Sequence, residues 1–426
     1  MTKAKEFLGN DWSFMILLVF FSGLYVFNAS NQPALGDDLS FTLAAMQGFD
    51  WATNATNHFL YLNTLHLLHL LLPFIDPHRL FLWLSLIPGI LVLAGLYKIL
   101  VHLKVGARSR FMAVMALGFS FTFWRHNEIV EVYTLNLALN TLLLWLFVKW
   151  TSSRKEQLVL WAGFLLGISM LVHIQNILLL PFLMYWSVRA HKLISLGNVV
   201  VFMCFLAPTL LLFILPLITH SNSFSNVLFD SSFKDEVLDF DLMMVIKGGG
   251  KSMAYLFFNF GAFALLMILS LFRNPLTKEL KWGLLLLIVP VFGFAMKYNV
   301  SDNYVFFLPA YLGLIIMAAA SLDRLLLNKP KFQWLLLMCV LAMPIGYYVG
   351  PSLALKTRAG VELNSEKSYK GGVGFFIWPG MRTNPGAIDL AKQLKSGSLE
   401  ATHNLEIEQN AHKALNYLQL MEPEEH

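Results

Sequence analysis

Long apolar runs recur along the chain and are separated by short polar segments. A helix needs about 20 apolar residues to cross roughly 30 Å of hydrocarbon. The predicted spans are residues 13–31, 80–102, 110–124, 129–149, 158–172, 174–189, 194–218, 253–272, 282–297, 304–322 and 332–350. The pattern therefore predicts an all-α polytopic membrane protein built as a bundle of about eleven transmembrane helices.

Two more segments, 37–48 and 55–73, are predicted to lie along the membrane interface or dip into it. The second carries a polar stripe at helical spacing, made of His58, Asn63, His66 and His69. If this segment crossed the membrane, the first basic loop would lie on the opposite face from the N-terminus. We therefore predict a large first outer loop, residues 32–79, that holds both interfacial helices.

The charge pattern adds an orientation to this scheme. Hydrophobic residues make up 57% of the chain and charged residues only 13%, whereas about a quarter of residues are charged in soluble domains. In such a chain the net charge of +5 reports membrane orientation and does not indicate a nucleic-acid partner. The basic loops 98–110, 149–155, 189–192, 273–281 and 324–331 share one side with Lys3 and Lys5. This distribution predicts a cytoplasmic N-terminus and an outer C-terminus.

The chain is predicted to divide into a transmembrane domain, residues 1–350, and an outer C-terminal tail, residues 351–426, with helices near 386–396 and 404–420. The segment KGGGK, residues 247–251, lacks the spacing of a phosphate-binding loop, so a flexible loop end is expected there.

No metal site or cofactor is predicted from the sequence. Cys204 and Cys339 lie inside apolar runs, where cysteine behaves as a small hydrophobe. No combination of His, Cys and Asp has the spacing of a zinc site.

Two adjacent carboxylates, Asp37 and Asp38, follow the first span on the outer side. Aspartate is a favoured helix N-cap, and a carboxylate at the membrane surface also suits a general base that takes a proton from a hydroxyl nucleophile. Both interpretations can hold together, with one Asp capping the helix and the other pointing into a cleft. Asp37 and Asp38 are therefore the candidate catalytic residues.

Polar side chains also gather at the other outer turns, notably in FWRHNEIVEVYTLN, residues 123–136. An acid inside a span, such as Glu131, is costly to insert and indicates function; Glu128 can equally be an interfacial acid. Arg125 and His126 can hold a phosphate or anchor to lipid headgroups. The candidate substrate-binding residues are Arg125, His126, Glu128, Glu131, Tyr133, His173, Lys297, Asn299 and Asp302.

Three motifs together resemble one family. GDDLSF in the first outer loop, FWRHNEIVEVYTLN at the second and YNVSDNYVFFLPAY late in the membrane region resemble the DUF2723 family, which includes an ER protein O-mannosyltransferase. The tail pieces WPGMRTNPGAIDLAKQL and ALNYLQL are similar to that family's outer C-terminal region, more weakly. The family belongs to the GT-C glycosyltransferases, so the resemblance implies a GT-C helical bundle with interfacial helices in the first outer loop.

The resemblance implies that Asp37 is the catalytic base, because it matches the acid after Gly in the family's first-loop motif. The sequence departs from that motif at Ser40, where the family has Glu, and in TNHFLYLNT, which replaces a His-Pro-Pro-Gly-Tyr-Pro segment. Both departures lie close to the predicted site, and they leave open whether activity is retained.

The implied function is an inverting transfer of a mannose-like sugar from a polyprenyl-phosphate donor to a hydroxyl acceptor, expected to be protein Ser or Thr. The expected location is the outer face of a bacterial inner membrane or the ER membrane, among lipids. Alternatives are a lipid-linked glycan ligase or polymerase, or a non-enzymatic scaffold or transporter derived from such an enzyme. The acids gather at one face and not near the midplane, where transporters place them, which favours the enzyme.

The orientation is testable by labelling single cysteines in intact cells. With Cys204 and Cys339 replaced, a cysteine at position 302 should react with an impermeant thiol reagent added outside, and one at position 154 should be protected. The reverse pattern would contradict the predicted topology and, with it, the placement of the site.

Overall fold

The protein is described here by a computed structural model covering residues 12–421, except 53, 194, 220–241, 299, 301, 327–329 and 402–403. The described residues form helices joined by loops and contain no β-strand, which confirms the predicted all-α class. The membrane region contains α1 (Trp12–Asn28), α2 (Asp37–Gln47), α3 (Phe59–Leu71), α4 (Pro77–His102), α5 (Ala107–Gly118), α6 (Phe121–His126), α7 (Tyr133–Ser153), α8 (Gln157–Val172), α9 (Leu180–His191), α10 (Leu196–Thr209), α11 (Leu211–Thr219), α12 (Leu242–Phe260), α13 (Phe263–Phe272), α14 (Lys278–Lys297), α15 (Leu308–Leu326) and α16 (Pro330–Ala354). The tail contains α17 (Arg358–Glu366), α18 (Gly372–Ile377), α19 (Ala387–Lys395) and α20 (Leu405–Met421).

Five apolar stretches in the described residues are long enough to cross a bilayer: Pro77–His102, Leu196–Thr219, Lys278–Lys297, Asn303–Arg324 and Lys331–Ala354. Shorter apolar helices include Trp12–Asn28, Phe59–Leu71, Gln157–Val172 and Phe263–Phe272. The chain is therefore a multi-pass membrane protein. Each predicted span coincides with a helix or with two consecutive helices, while the number of membrane crossings stays a prediction.

Helix α15 lies at the centre of the bundle. Ile315, Ile316, Met317, Ala318 and Ala319 are consecutive and have no solvent exposure, so this helix is covered on all sides. Helices α5, α13 and α14 pack against it. The remaining helices arrange their polar ends around this apolar centre.

The basic loops meet at one end of the bundle. Glu279, at the start of α14, accepts hydrogen bonds from Arg154 at 2.6 Å and from Arg189 at 3.1 Å. Asp323, near the end of α15, accepts from the Ser109 hydroxyl and the Gly106 N–H. Such partly exposed pairs add little stability, but they hold these loops together at one end of the bundle, and the side of the membrane on which this end lies stays a prediction.

The first outer loop and the tail pack together at the opposite end. Helices α2 and α3 match the predicted interfacial segments, and α19 and α20 match the predicted tail helices. One apolar cluster joins Leu39 and Leu43 of α2 to Leu390, Ile407 and Tyr417 of the tail. The tail is therefore folded onto the first outer loop, and the domain boundary near residue 350 stays a prediction.

The KGGGK segment is helical, so the expectation of a flexible loop end is wrong. Helix α12 begins at Leu242 and runs through all three glycines. A side chain at Gly248 would collide with the Met296 carbonyl near the end of α14, whereas one at Gly250 would meet nothing within 4 Å. The absence of a side chain at Gly248 therefore lets the two backbones approach.

Alanine substitutions within this run should separate helix propensity from packing. Alanine has a higher helix propensity than glycine, so both Gly250→Ala and Gly248→Ala should gain up to about 1 kcal/mol of stability from this term. Gly250→Ala should therefore raise the apparent melting temperature of the protein in detergent. Gly248→Ala should lower it, because overpacking typically costs about 1–3 kcal/mol. Equal shifts for the two variants would contradict the close contact at Gly248.

Candidate active site

A cavity of about 940 Å³ opens at the end of the bundle opposite the basic loops. Its wall combines the start of α2, the loop before α3, the turn around α6, the 3₁₀ turns Ile174–Leu179 and Asn303–Phe307, and parts of the tail. Eight of the predicted site residues line it: Asp37, Asp38, Arg125, His126, Glu131, Tyr133, His173 and Asp302. Residues that lie far apart in the sequence are thus brought to one solvent-accessible space.

Asp37 presents its carboxylate to this cavity from the first turn of α2. The preceding residue, Gly36, has φ +106°, a backbone conformation that favours glycine. Its N–H donates to the Asn410 side chain on α20 at 3.0 Å. The Asp37 side chain is accessible to solvent within the cavity, although the walls surround it on most sides. The turn therefore holds a water-accessible carboxylate inside a largely desolvated space.

Asp38 also borders the cavity but is only 2% exposed. Its carboxylate accepts hydrogen bonds from the Ala34 N–H at 3.0 Å and the Thr42 hydroxyl at 3.4 Å, and from the Val130 N–H. The His78 ring lies 3.5 Å away. No side chain caps α2, whose N-cap is Gly36, so the N-cap expectation is wrong. Asp38 instead joins the first outer loop to the second.

The two glutamates of the second outer turn differ in surroundings. Glu128 accepts hydrogen bonds from the Trp124 indole and from the Met381 N–H at 3.1 Å, and it is not among the cavity-lining residues. Its role as a substrate-binding residue stays a prediction. Glu131 lines the cavity, is 7% exposed, and has one carboxylate oxygen, Oε2, without a hydrogen-bond partner.

The carboxylates of Asp37, Asp302 and Asp38 influence Glu131 through their charge. The Arg125 guanidinium lies between the Phe121 and Phe375 rings, 4.6 Å from each centroid. It donates through Nη2 to the backbone carbonyls of Phe375 and Trp378. This arginine therefore attaches the tail to the membrane region and still lines the cavity.

Lys297 and Asn299 are the two other residues that were predicted to bind the substrate. Lys297 ends α14 and is not among the residues that line the cavity. Asn299 lies outside the described residues. The predicted substrate contacts of both stay predictions.

Imidazole and aromatic rings form one wall of the cavity. The Tyr133 ring lies 5.3 Å from the His126 ring and 5.5 Å from the His173 ring, and His58 follows at 4.9 Å from His173. The Nδ1 atoms of His58 and His126 lie at 2.9 and 2.7 Å from the carbonyls of Val172 and Thr122, so each must carry a proton there. Their Nε2 atoms are then available as acceptors when the rings are neutral.

His58 was not among the predicted site residues, nor was any residue of the tail. The tail contributes Lys370, Phe375, Phe376, Met381, Glu406, Gln409 and Asn410 to the cavity wall. The sequence indicated two helices in the tail but not where they dock, so their contribution to the cavity could not be predicted. His58 belongs to the TNHFLYLNT segment in which the chain departs from the family it resembles.

The acids that line the cavity influence one another. Burial raises the pKa of Asp37, and the Lys413 ammonium group lowers it in part. Burial also raises the pKa of Asp302, and the Asp37 carboxylate raises it further. Lys413 donates to the Ser40 hydroxyl at 2.8 Å, one turn after Asp37. Asp37 can therefore serve as a proton acceptor in this wall, with its negative charge partly balanced by Lys413 of the tail.

Comparison with known proteins supports the sequence resemblance over part of the chain. Residues 94–194 match the family described as protein O-mannosyl-transferase TMEM260 N-terminal domain. This segment includes the second outer turn and His173, whereas Asp37 and the tail lie outside it. No curated protein matches the chain. The DUF2723 name itself stays a prediction.

Solved structures share the architecture. ArnT from Cupriavidus metallidurans bound to undecaprenyl phosphate matches with a TM-score of 0.59 and 14% identity, over 95% of this chain and 74% of that one. Its apo state matches with a TM-score of 0.55 and 13% identity, with the same coverage. The arabinofuranosyltransferase AftD from Mycobacteria matches with a TM-score of 0.50 and 14% identity, over 89% of this chain but 28% of that one. These similarities establish a GT-C fold.

Asp38 should make stability depend on pH. Burial raises its pKa from 3.8 to about 8, so the folded protein binds a proton that the unfolded chain releases, and stability falls as pH rises between those values. Asp38→Asn should flatten that fall, measured as the melting temperature in detergent from about pH 5 to 8. Asp76→Asn is the control, because Asp76 caps α4 and asparagine caps equally well. An unchanged slope in Asp38→Asn would contradict the buried protonated carboxyl.

Proposed function

We propose that the protein is an inverting glycosyltransferase that moves a mannose-like sugar from a polyprenyl-phosphate donor to a hydroxyl acceptor, expected to be protein Ser or Thr. The observation that carries the proposal is the placement of the Asp37 carboxylate in the large cavity of a GT-C fold. The match to a protein O-mannosyl-transferase family over residues 94–194 supports the sugar and acceptor classes. ArnT, which shares the fold, has been solved with undecaprenyl phosphate bound, which supports the lipid donor.

The proposed reaction needs a base near the acceptor hydroxyl and a cationic group near the donor phosphate. Asp37 takes the proton of the acceptor hydroxyl while that oxygen attacks the anomeric carbon of the sugar. The bond between the anomeric carbon and the phosphate oxygen breaks, and its electron pair leaves with the polyprenyl phosphate. Attack from the face opposite the leaving group inverts the anomeric centre. A cationic group near the phosphate stabilises the charge that develops there.

The acids beside Asp37 fit the binding of a hydroxyl-rich substrate. Glu131 carries a buried carboxylate oxygen without a hydrogen-bond partner, and Asp302 lines the same cavity. Carboxylates accept hydrogen bonds from hydroxyl groups, so these residues are proposed to orient the sugar or the acceptor. Asp37 is active as a base only when it is ionised, so transfer should decline as pH falls through the pKa of Asp37. Burial raises this pKa, and the charge of Lys413 lowers it in part.

The proposed location follows from the predicted topology. With the N-terminus in the cytoplasm, the cavity opens to the outside of a bacterial inner membrane or to the ER lumen. A donor carried by a membrane lipid reaches this end of the bundle without a nucleotide-sugar site. Acceptor protein and donor then meet at the outer membrane surface.

Substitution of Asp37 tests the proposal. Asp37→Asn keeps the size of the side chain but removes the base, so transfer from a polyprenyl-phosphate sugar to an acceptor peptide should drop by at least about 10²-fold. The melting temperature should change little. Asp50→Asn is the matched control, because Asp50 is in the same outer loop, does not line the cavity, and uses its carboxylate to accept the Ala52 N–H.

Purified wild-type protein without any transfer activity would overturn the enzyme assignment and favour a scaffold or transporter. Full activity of Asp37→Asn with loss in Asp38→Asn would move the base to the neighbouring residue. Transfer to a lipid-linked glycan and not to a peptide would identify a ligase or polymerase.

A further inference from the structure

We propose that Arg125 and Lys370 together bind the phosphate group of the donor lipid, so that the C-terminal tail supplies a substrate-binding residue. This inference rests on the proposed function and deepens it. Lys370 was not indicated by any sequence motif, and it comes to the cavity only because the tail folds back onto the first outer loop.

The two cations are neighbours on the cavity wall. The Arg125 guanidinium lies 4.6 Å and the Lys370 ammonium 4.8 Å from the centroid of the same Phe375 ring. Their separation is therefore at most the sum of these two distances. The two residues are 3% and 9% exposed, so their mutual repulsion is weakly screened by solvent.

The protein balances this charge incompletely. Glu406 is shared by Lys370 at 2.6 Å, Lys367 at 3.3 Å and the Tyr369 hydroxyl at 2.6 Å. Arg125 donates to backbone carbonyls and to the Tyr304 hydroxyl, and its Nε has no hydrogen-bond partner.

The negative charge of Glu128 influences Arg125, but the Glu128 oxygens accept hydrogen bonds from Trp124 and Met381. Lys367 also pairs with Glu366 at 3.5 Å and does not line the cavity. On the cavity wall, Lys370 is paired with Glu406, whereas the Arg125 Nε has no hydrogen-bond partner. A buried cation with an unused donor favours an anionic ligand.

The chemistry of the two cations fits a phosphate. A guanidinium offers donors in a planar fork, and an ammonium offers a compact charge with three donors, so together they can contact several phosphate oxygens. The acidic residues of the cavity, Asp37, Glu131 and Asp302, repel the same group. The donor would thus lie with its phosphate at the cationic corner and its anomeric carbon toward Asp37.

The chain offers a matched pair of variants for the test. Lys367 and Lys370 share Glu406, but only Lys370 lines the cavity. Lys370→Gln should raise the KM for the lipid donor by about tenfold or more, with a smaller change in KM for the acceptor. Lys367→Gln should leave both constants near their wild-type values, and Lys370→Arg should largely restore the donor KM.

Binding is measured separately, by the shift in melting temperature with citronellyl phosphate, a short polyprenyl phosphate. It should stabilise the wild type and Lys367→Gln but not Lys370→Gln, whereas citronellol and inorganic phosphate should have no effect at the same concentration. An equal response to inorganic phosphate would identify a free-phosphate site. Equal losses in the two glutamine variants would reduce Lys370 to a structural contact with Glu406.

The two proposals fail in different ways. A wild-type donor KM in Lys370→Gln, together with an inactive Asp37→Asn, would refute the phosphate site and leave the glycosyltransferase assignment intact. A wild-type protein without transfer that still binds citronellyl phosphate through Lys370 would refute the assignment and leave a lipid-phosphate site.

Discussion

The docking of the C-terminal tail onto the segment after α1 is the contact on which the site depends. Asn28 accepts backbone hydrogen bonds from Met381 and Arg382, and Pro33 accepts one from Ala387. Asn410 then holds Gly36 in its left-handed conformation, and the apolar faces of α19 and α20 cover α2. Without these contacts the turn that carries Asp37 would lose its support, and the cavity would lose one wall.

The two adjacent aspartates at the start of α2 have different surroundings in this arrangement. Asp38 is buried and joins the first outer loop to Val130, which sets the distance between that loop and Glu131. Asp37, one residue earlier, is left facing the cavity. Adjacent residues at a helix start point in different directions, so a pair of identical side chains supplies one structural and one solvent-accessible carboxylate.

At the positions where the chain departs from the motif that it resembles, the side chains make other contacts. Ser40, at the position where the family that the sequence resembles has Glu, accepts a hydrogen bond from Lys413 of α20. The positive charge of Lys413 partly opposes the effect of burial on the pKa of Asp37. The replaced segment after it brings His58 to the cavity, beside His173. The chain thus has a supported carboxylate, Asp37, in a cavity whose wall differs from the motif that the sequence resembles.

The sequence by itself determined the helical class, the apolar spans, the helices that follow the first span and those that form the tail, because hydrophobic periodicity is a local property. The candidate acids could be found in the same way, since an acid near a span is costly unless it is used or paired. Only the tertiary structure decided that Asp37 and not Asp38 is accessible to solvent in the cavity, that Arg125 contacts tail carbonyls, and that Lys370 lines the wall. These facts depend on how segments more than 200 residues apart pack together, and no local pattern records which faces meet.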